Sequence, residues 1–81
     1  MGRIYLEVKT MQKFTDRDKE VLEFIQTYKE ARGISPSVRE IGAAVYMSVP
    51  TVQRHLWKLC QLGYISMEPR KPRTIVIKIA V

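Results

Sequence analysis

Ser48-Val49-Pro50-Thr51-Val52-Gln53-Arg54-His55-Leu56, then Gly63-Tyr64-Ile65, then Glu68-Pro69-Arg70-Lys71-Pro72-Arg73, is the stretch that decides the fold of this 81-residue chain. Ser48 is a good helix N-cap. Pro50 in the first turn costs no hydrogen bond, because that amide would lack a helical partner anyway. The helix covers 48–62, and Gly63 stops it. On a helical wheel Val49, Val52, Leu56, Leu59 and Leu62 fall on one side. Pro50, Thr51, Arg54, Trp57, Lys58 and Gln61 fall on the other, with Gln53 on the flank. Residues 64–67 and 74–80 alternate and read as strands. The residues between them include two prolines, so they form a loop rather than a tight turn. A helix with a polar, basic face, a strand, a proline-pinned basic loop and a second strand make a recognition helix followed by a wing.

The upstream residues supply the rest of the domain. Thr15 is an N-cap, with Asp16 and Asp18 in the first turn where the helix dipole favours acids. Val21, Leu22, Phe24, Ile25 and Tyr28 form an apolar stripe, and Gly33 stops this helix, 15–32, after Arg32. Ser35 precedes a proline and is pushed out of the helical region. Ser37-Val38-Arg39-Glu40 reads as a capping box opening a helix at 38–45. That helix is expected to be buried through Val38, Ile41, Ala44 and Val45, with Tyr46-Met47 a tight connection to the recognition helix. Two short helices joined this closely make a helix-turn-helix. Residues 3–9 alternate, with Ile4, Leu6 and Val8 on one side, and read as an extra N-terminal strand. The expectation is a mainly α domain with a small β-sheet: a three-helix winged helix-turn-helix occupying 1–81, with a C-terminal wing hairpin at 64–80.

Bulk composition narrows the function. The apolar fraction, 46%, is that of a globular domain. No apolar run approaches the roughly 18 residues that span a bilayer. No signal peptide is read, and Leu6 stands where a myristoylation signal needs Ser or Thr. One cysteine, Cys60, and one histidine, His55, leave no internal disulfide and little for a metal or nucleophilic site. No enzyme, cofactor, metal or small-molecule ligand is expected. His55 reads as a core-edge residue and Cys60 as a small core residue. The net charge is +6. Residues 1–40 hold eight Lys/Arg against seven Asp/Glu, whereas residues 41–81 hold six against one. So one-sided a positive field calls for a polyanion.

Duplex DNA fits that field. The N-terminal half of a recognition helix enters the major groove, which selects Pro50, Thr51, Gln53 and Arg54 as base readers. Arg suits guanine, Gln suits adenine, and the Thr methyl can meet a thymine methyl. Ser48, with free helix-start amides, can hold a phosphate. Lys58 lies further along and is better placed for the backbone. Arg70, Lys71 and Arg73 in the wing can reach phosphates or a narrow minor groove. Ser37 and Arg39, at the start of the second helix, complete the expected DNA-facing set. Trp57 is read as packing under the N-terminal strand or a partner subunit rather than stacking beside the backbone.

These residues carry a resemblance. From Phe14 to Ile77 the chain resembles the N-terminal DNA-binding domain of the LexA repressors of the bacterial SOS response. The matching pieces are Thr15-Asp16-Arg17-Asp18-Lys19-Glu20-Val21-Leu22, then Gly33-Ile34-Ser35-Pro36-Ser37-Val38-Arg39-Glu40-Ile41, then Thr51-Val52-Gln53-Arg54-His55-Leu56. Leu62-Gly63-Tyr64-Ile65 and Pro69-Arg70-Lys71-Pro72-Arg73-Thr74-Ile75 follow in order. The resemblance implies a winged helix-turn-helix that reads operator DNA as a dimer, in a bacterial or phage cytoplasm. It implies that Ser48, Pro50, Thr51, Gln53 and Arg54 face the operator. Gln53 and Arg54 stand at positions that vary in the family, so the usual SOS box is not assumed. The family's C-terminal self-cleaving peptidase domain is not among these residues, so induction by self-cleavage is not expected. The family's turn commonly carries Gly where this chain has Val45.

The expected function is a sequence-specific transcriptional regulator, in the manner of a repressor. A homodimer is expected through the N-terminal strand and the apolar C-terminal strand, whose Ile75, Ile77 and Ile79 share a face. The alternative is a winged-helix protein-interaction module. The charge asymmetry argues against it, because a docking face would be more apolar.

Overall fold

Three helices, wrapped around one apolar cluster, carry a two-stranded sheet on one side. The computed structural model describes residues 13–80. The strand expected at 3–9 lies outside them. The helices are α1 (Asp16–Arg32), α2 (Val38–Val45) and α3 (Val49–Gln61), followed by β1 (Ile65–Ser66) and β2 (Val76–Ile77). The strands pair antiparallel with Ile65 opposite Ile77 and Ser66 opposite Val76. Mainly helical, with a small hairpin after the third helix, this is a winged helix-turn-helix.

Side-chain caps fix where each helix starts. The Ser37 hydroxyl accepts from the Glu40 amide at 3.1 Å, and Glu40 Oε1 accepts from the Ser37 amide at 2.8 Å. Thr15 and Asp18 form the same reciprocal box at α1, with Asp18 Oδ2 accepting from the Thr15 amide at 2.8 Å. At α3 the Ser48 side chain accepts from the Thr51 amide at 3.4 Å. Each such cap is worth on the order of 1 kcal/mol. Gly33 ends α1 in the left-handed region at φ 72°, and its amide donates to the Lys29 carbonyl at 2.8 Å.

The core joins all the elements. Val21, Leu22 and Ile25 of α1 meet Ile41 and Val45 of α2, Val52, Leu56 and Leu59 of α3, Ile65 of β1, and Ile75 just ahead of β2. Each side chain fully buried here contributes about 1.5–3 kcal/mol. Phe14 stacks on Tyr64 with ring centroids 4.6 Å apart, tying the entry to α1 to the start of the hairpin.

Two details differ from the sequence reading. Ala44 is exposed, and Gly42 is buried in its place. A β-carbon at Gly42 would lie 2.6 Å from the Met47 carbonyl oxygen, so only glycine lets the turn into α3 pass this close. The strands expected at 64–67 and 74–80 shorten to two residues each. The Tyr64 carbonyl accepts from both the Lys78 and Ile79 amides, at 2.8 and 3.1 Å, so the ladder converges on one acceptor and stops. Val45 stays helical and buried, and the left-handed residue of the turn is Tyr46, at φ 58° and ψ 49°, within the connection to α3.

Candidate nucleic-acid interface

α3 is held from beneath by one carboxylate. Asp18 is fully buried at the start of α1, where its cap holds it. One oxygen lies 2.6 Å from His55 Nδ1 and the other 2.7 Å from Lys58 Nζ, both on α3. Burial pushes the Asp18 carboxyl up. The Lys58 ammonium, the Thr15 amide, His55 and the Thr15 hydroxyl together outweigh it and bring the pKa down to about 2. The result fixes the rotation of α3 about its axis. It turns Val52, Leu56 and Leu59 inward and leaves Pro50, Gln53 and Arg54 exposed.

The wing is held by a second carboxylate. Glu40 accepts from the Ser37 amide, from the Tyr28 hydroxyl at 2.8 Å and from Arg73 at 2.8 Å. The Ser37 amide and the Tyr28 hydroxyl, with Arg73, bring its pKa down to about 2. Arg73 also donates to the Tyr28 oxygen and the Ser35 carbonyl, at 3.3 and 3.2 Å. The Tyr28 hydroxyl and Glu40 raise the Arg73 pKa further. Lys29 donates to the Ile75 carbonyl at 2.7 Å. The loop itself closes on Thr74, whose hydroxyl accepts from the Glu68 amide at 2.9 Å and faces the Lys71 carbonyl at 3.1 Å. Arg70, at φ 66°, and Arg73, at φ 59°, take left-handed backbones within this loop.

The expected DNA-facing residues therefore divide into two groups. Arg39, Ser48, Pro50, Gln53, Arg54, Arg70 and Lys71 are exposed, and Thr51 is half-buried. Among the described residues Arg39, Arg54 and Arg70 have no ion pair, and Lys71 has a loose one to Glu68 at 3.4 Å. Ser37, Lys58 and Arg73 are engaged within the fold: Ser37 in its cap, Lys58 on Asp18, Arg73 on Glu40; Ser48, though exposed, likewise caps its helix and donates to the Thr51 hydroxyl at 2.9 Å. Trp57, three residues beyond Arg54, is 67% exposed and stands beside the wing.

Sequence reading passed over Asp18, Tyr28, Glu40 and Thr74 as positioning residues. Thr15 and Asp18 have capping-box spacing, and His55 and Lys58 share a helix face. Those were the available signals.

Residues 11–74 match the model of the family described as the LexA DNA binding domain. The chain belongs to that family. Among its relatives are the LexA repressors of Bacillus mycoides (strain KBAB4), Bacillus thuringiensis (strain Al Hakam) and Bacillus anthracis. Each is 47% identical over 68 residues, covering 83% of this chain and 33% of the relative. The chain thus spans about a third of the length of the LexA repressors it matches. No helix among the described residues is long and apolar enough to cross a membrane.

Proposed function

We propose that this LexA-family domain is a transcriptional repressor that binds double-stranded DNA in a sequence-specific way. α3 reads base edges in the major groove through Pro50, Thr51, Gln53 and Arg54. Ser48 and Arg39 hold phosphates beside it, and Arg70 and Lys71 extend the contact along the backbone or into the minor groove. Lys58, Ser37 and Arg73 serve the interface by positioning these elements. The work is binding rather than catalysis, carried out in the bacterial cytoplasm by a homodimer on a two-fold operator.

One observation carries the reading. Of the cations of the C-terminal half, Lys58 and Arg73 are engaged by carboxylates of the fold, whereas Arg54, on the N-terminal half of α3, and Arg70 and Lys71, in the wing loop, are exposed with at most one loose ion pair, that of Lys71 to Glu68. Those are the two places at which a winged helix-turn-helix meets DNA.

Selection of bound fragments from random duplex DNA tests it. The expected result is a two-fold symmetric site with half-sites about one helical turn, or a multiple of it, apart. Arg54→Ala should relax specificity at one base pair per half-site, at a cost of about 1–3 kcal/mol. Enrichment of no sequence, or an unchanged preference in Arg54→Ala, rejects the assignment of α3 as the reader.

A further inference from the structure

A cleft of about 530 Å³ separates α3 from the wing. Gln53 and Trp57 line it from α3, and Met67, Pro69, Arg70 and Lys71 line it from the wing. The lining is largely apolar at the helix side and basic at the wing tip. Trp57 is 67% exposed there, an unusual place for so large an aromatic side chain. We infer that Trp57 is a further DNA-contacting residue: its indole packs against the deoxyriboses of the strand that passes through this cleft between α3 and the wing.

The inference rests on the proposed reading, in which α3 lies in the major groove and the wing reaches across to the next groove. Two grooves are separated by one backbone strand. A protein that touches both must leave room for that strand between its two contacting elements, and the cleft is that room. The chemistry fits a strand of this kind. Sugar carbons are apolar and pack on an indole face, and the indole N–H can donate to a phosphate oxygen. The acid at the wing, Glu68, lies 3.4 Å from Lys71, with both side chains exposed. Such an exposed, solvent-screened pair is weak, so a phosphate can take its place at Lys71. Trp57 lies on the same face as Arg54, so a duplex engaged by one is brought to the other.

Trp57 is the only tryptophan in the chain, so its emission reports on this cleft alone. The protein is titrated with a fluorescein-labelled duplex carrying the site selected from random DNA. Anisotropy of the label reports binding, and acrylamide quenching of Trp57 reports whether the cleft is covered. Quenching should fall severalfold as the duplex saturates. Trp57→Ala should weaken binding about 10-fold. It should leave the dependence of log affinity on log salt unchanged, because indole carries no charge. Arg70→Ala should instead flatten that slope by about 0.9 for each phosphate lost. Trp57→Phe should bind nearly as tightly as the parent.

Binding with unchanged quenching, or Trp57→Ala binding as tightly as the parent, overturns the cleft assignment and leaves the DNA reading intact. Quenching that falls with protein concentration alone, and no further with duplex, gives this face to a second copy and also overturns it. Absence of any anisotropy change removes the underlying reading itself.

Discussion

Lys58 and Arg54 sit one turn apart on the same helix and carry the same charge, yet their surroundings give them opposite roles. Lys58 reaches back 2.7 Å to a buried carboxylate, whereas Arg54 is exposed with no ion pair among the described residues. The wing repeats the division, with Arg73 tied to Glu40 and Arg70 without an ion pair among the described residues. Each of these two elements thus has one cation tied to a carboxylate of the fold and another exposed. A count of positive charges cannot separate the two kinds. What separates them is the presence of an acid within the fold at the right height.

The largest effect should come from removing that acid. Asp18→Ala takes the common acceptor from His55 and Lys58 and half of the capping box from α1. Breaking a buried pair by deleting one partner costs about 3–5 kcal/mol. For a small domain of modest stability that is most of what it has. Urea denaturation should show a much lower midpoint, and DNA binding should fail because α3 is no longer held. A midpoint within error of the parent would mean that Asp18 does not hold α3.

The same carboxyl makes stability depend on acid. Its pKa is about 2 in the folded chain and about 3.9 when unfolded, so the unfolded state binds more protons between those values. The stabilisation is therefore fully present above the unfolded pKa and is lost as pH falls through the folded one. It amounts to about 2 kcal/mol. Glu40, also at about 2, titrates in the same window. The Asp18 part is the portion of the acid-dependent loss that disappears in Asp18→Asn. Stability measured from neutral pH down to the acid limit checks the direction. A loss that persists unchanged in Asp18→Asn assigns the dependence elsewhere.

A crossed pair of substitutions probes the comparison directly. Lys58→Ala should cost about 1–3 kcal/mol of stability, by leaving a buried charge short of a partner. Its preference among DNA sequences should stay as in the parent. Arg54→Ala should leave stability within about 0.5 kcal/mol, as an exposed substitution does. Its preference at one base pair should relax. If both substitutions change sequence preference alike, the division into placing and reading cations fails.

Much of this was legible before the structure because the signals are local. Ser37 and Glu40 form the box their spacing announced, and Gly33 takes the left-handed backbone that ends α1. Order and spacing of three helices and a hairpin gave the winged helix-turn-helix. What was not legible is what depends on distance in sequence. Asp18 and His55 are far apart in the chain and meet only because α1 and α3 cross. Arg73 looked like one more wing cation, because its partners Tyr28, Ser35 and Glu40 lie on other elements. The strands were read too long because side-chain alternation shows which face a residue takes but not where the ladder ends. Here it ends on the doubly used Tyr64 carbonyl.

The smallest effect tests whether holding and reading can be separated at the turn between α2 and α3. Tyr46 has φ 58° and is 93% exposed, so its side chain offers little packing in return for a left-handed backbone. Such a residue costs on the order of 1 kcal/mol or more. Glycine removes that cost but also gives the unfolded chain more freedom, which takes back part of the gain. Tyr46→Gly should therefore be more stable by about 0.5–1 kcal/mol, seen as a higher thermal midpoint. The turn places α3 but contacts no base in the proposed reading, so affinity and sequence preference should both stay at the parental level. A Tyr46→Gly protein that is more stable yet binds its site more weakly would show that the Tyr46 side chain itself takes part in the complex. The turn would then belong to the reading surface as well as to its support.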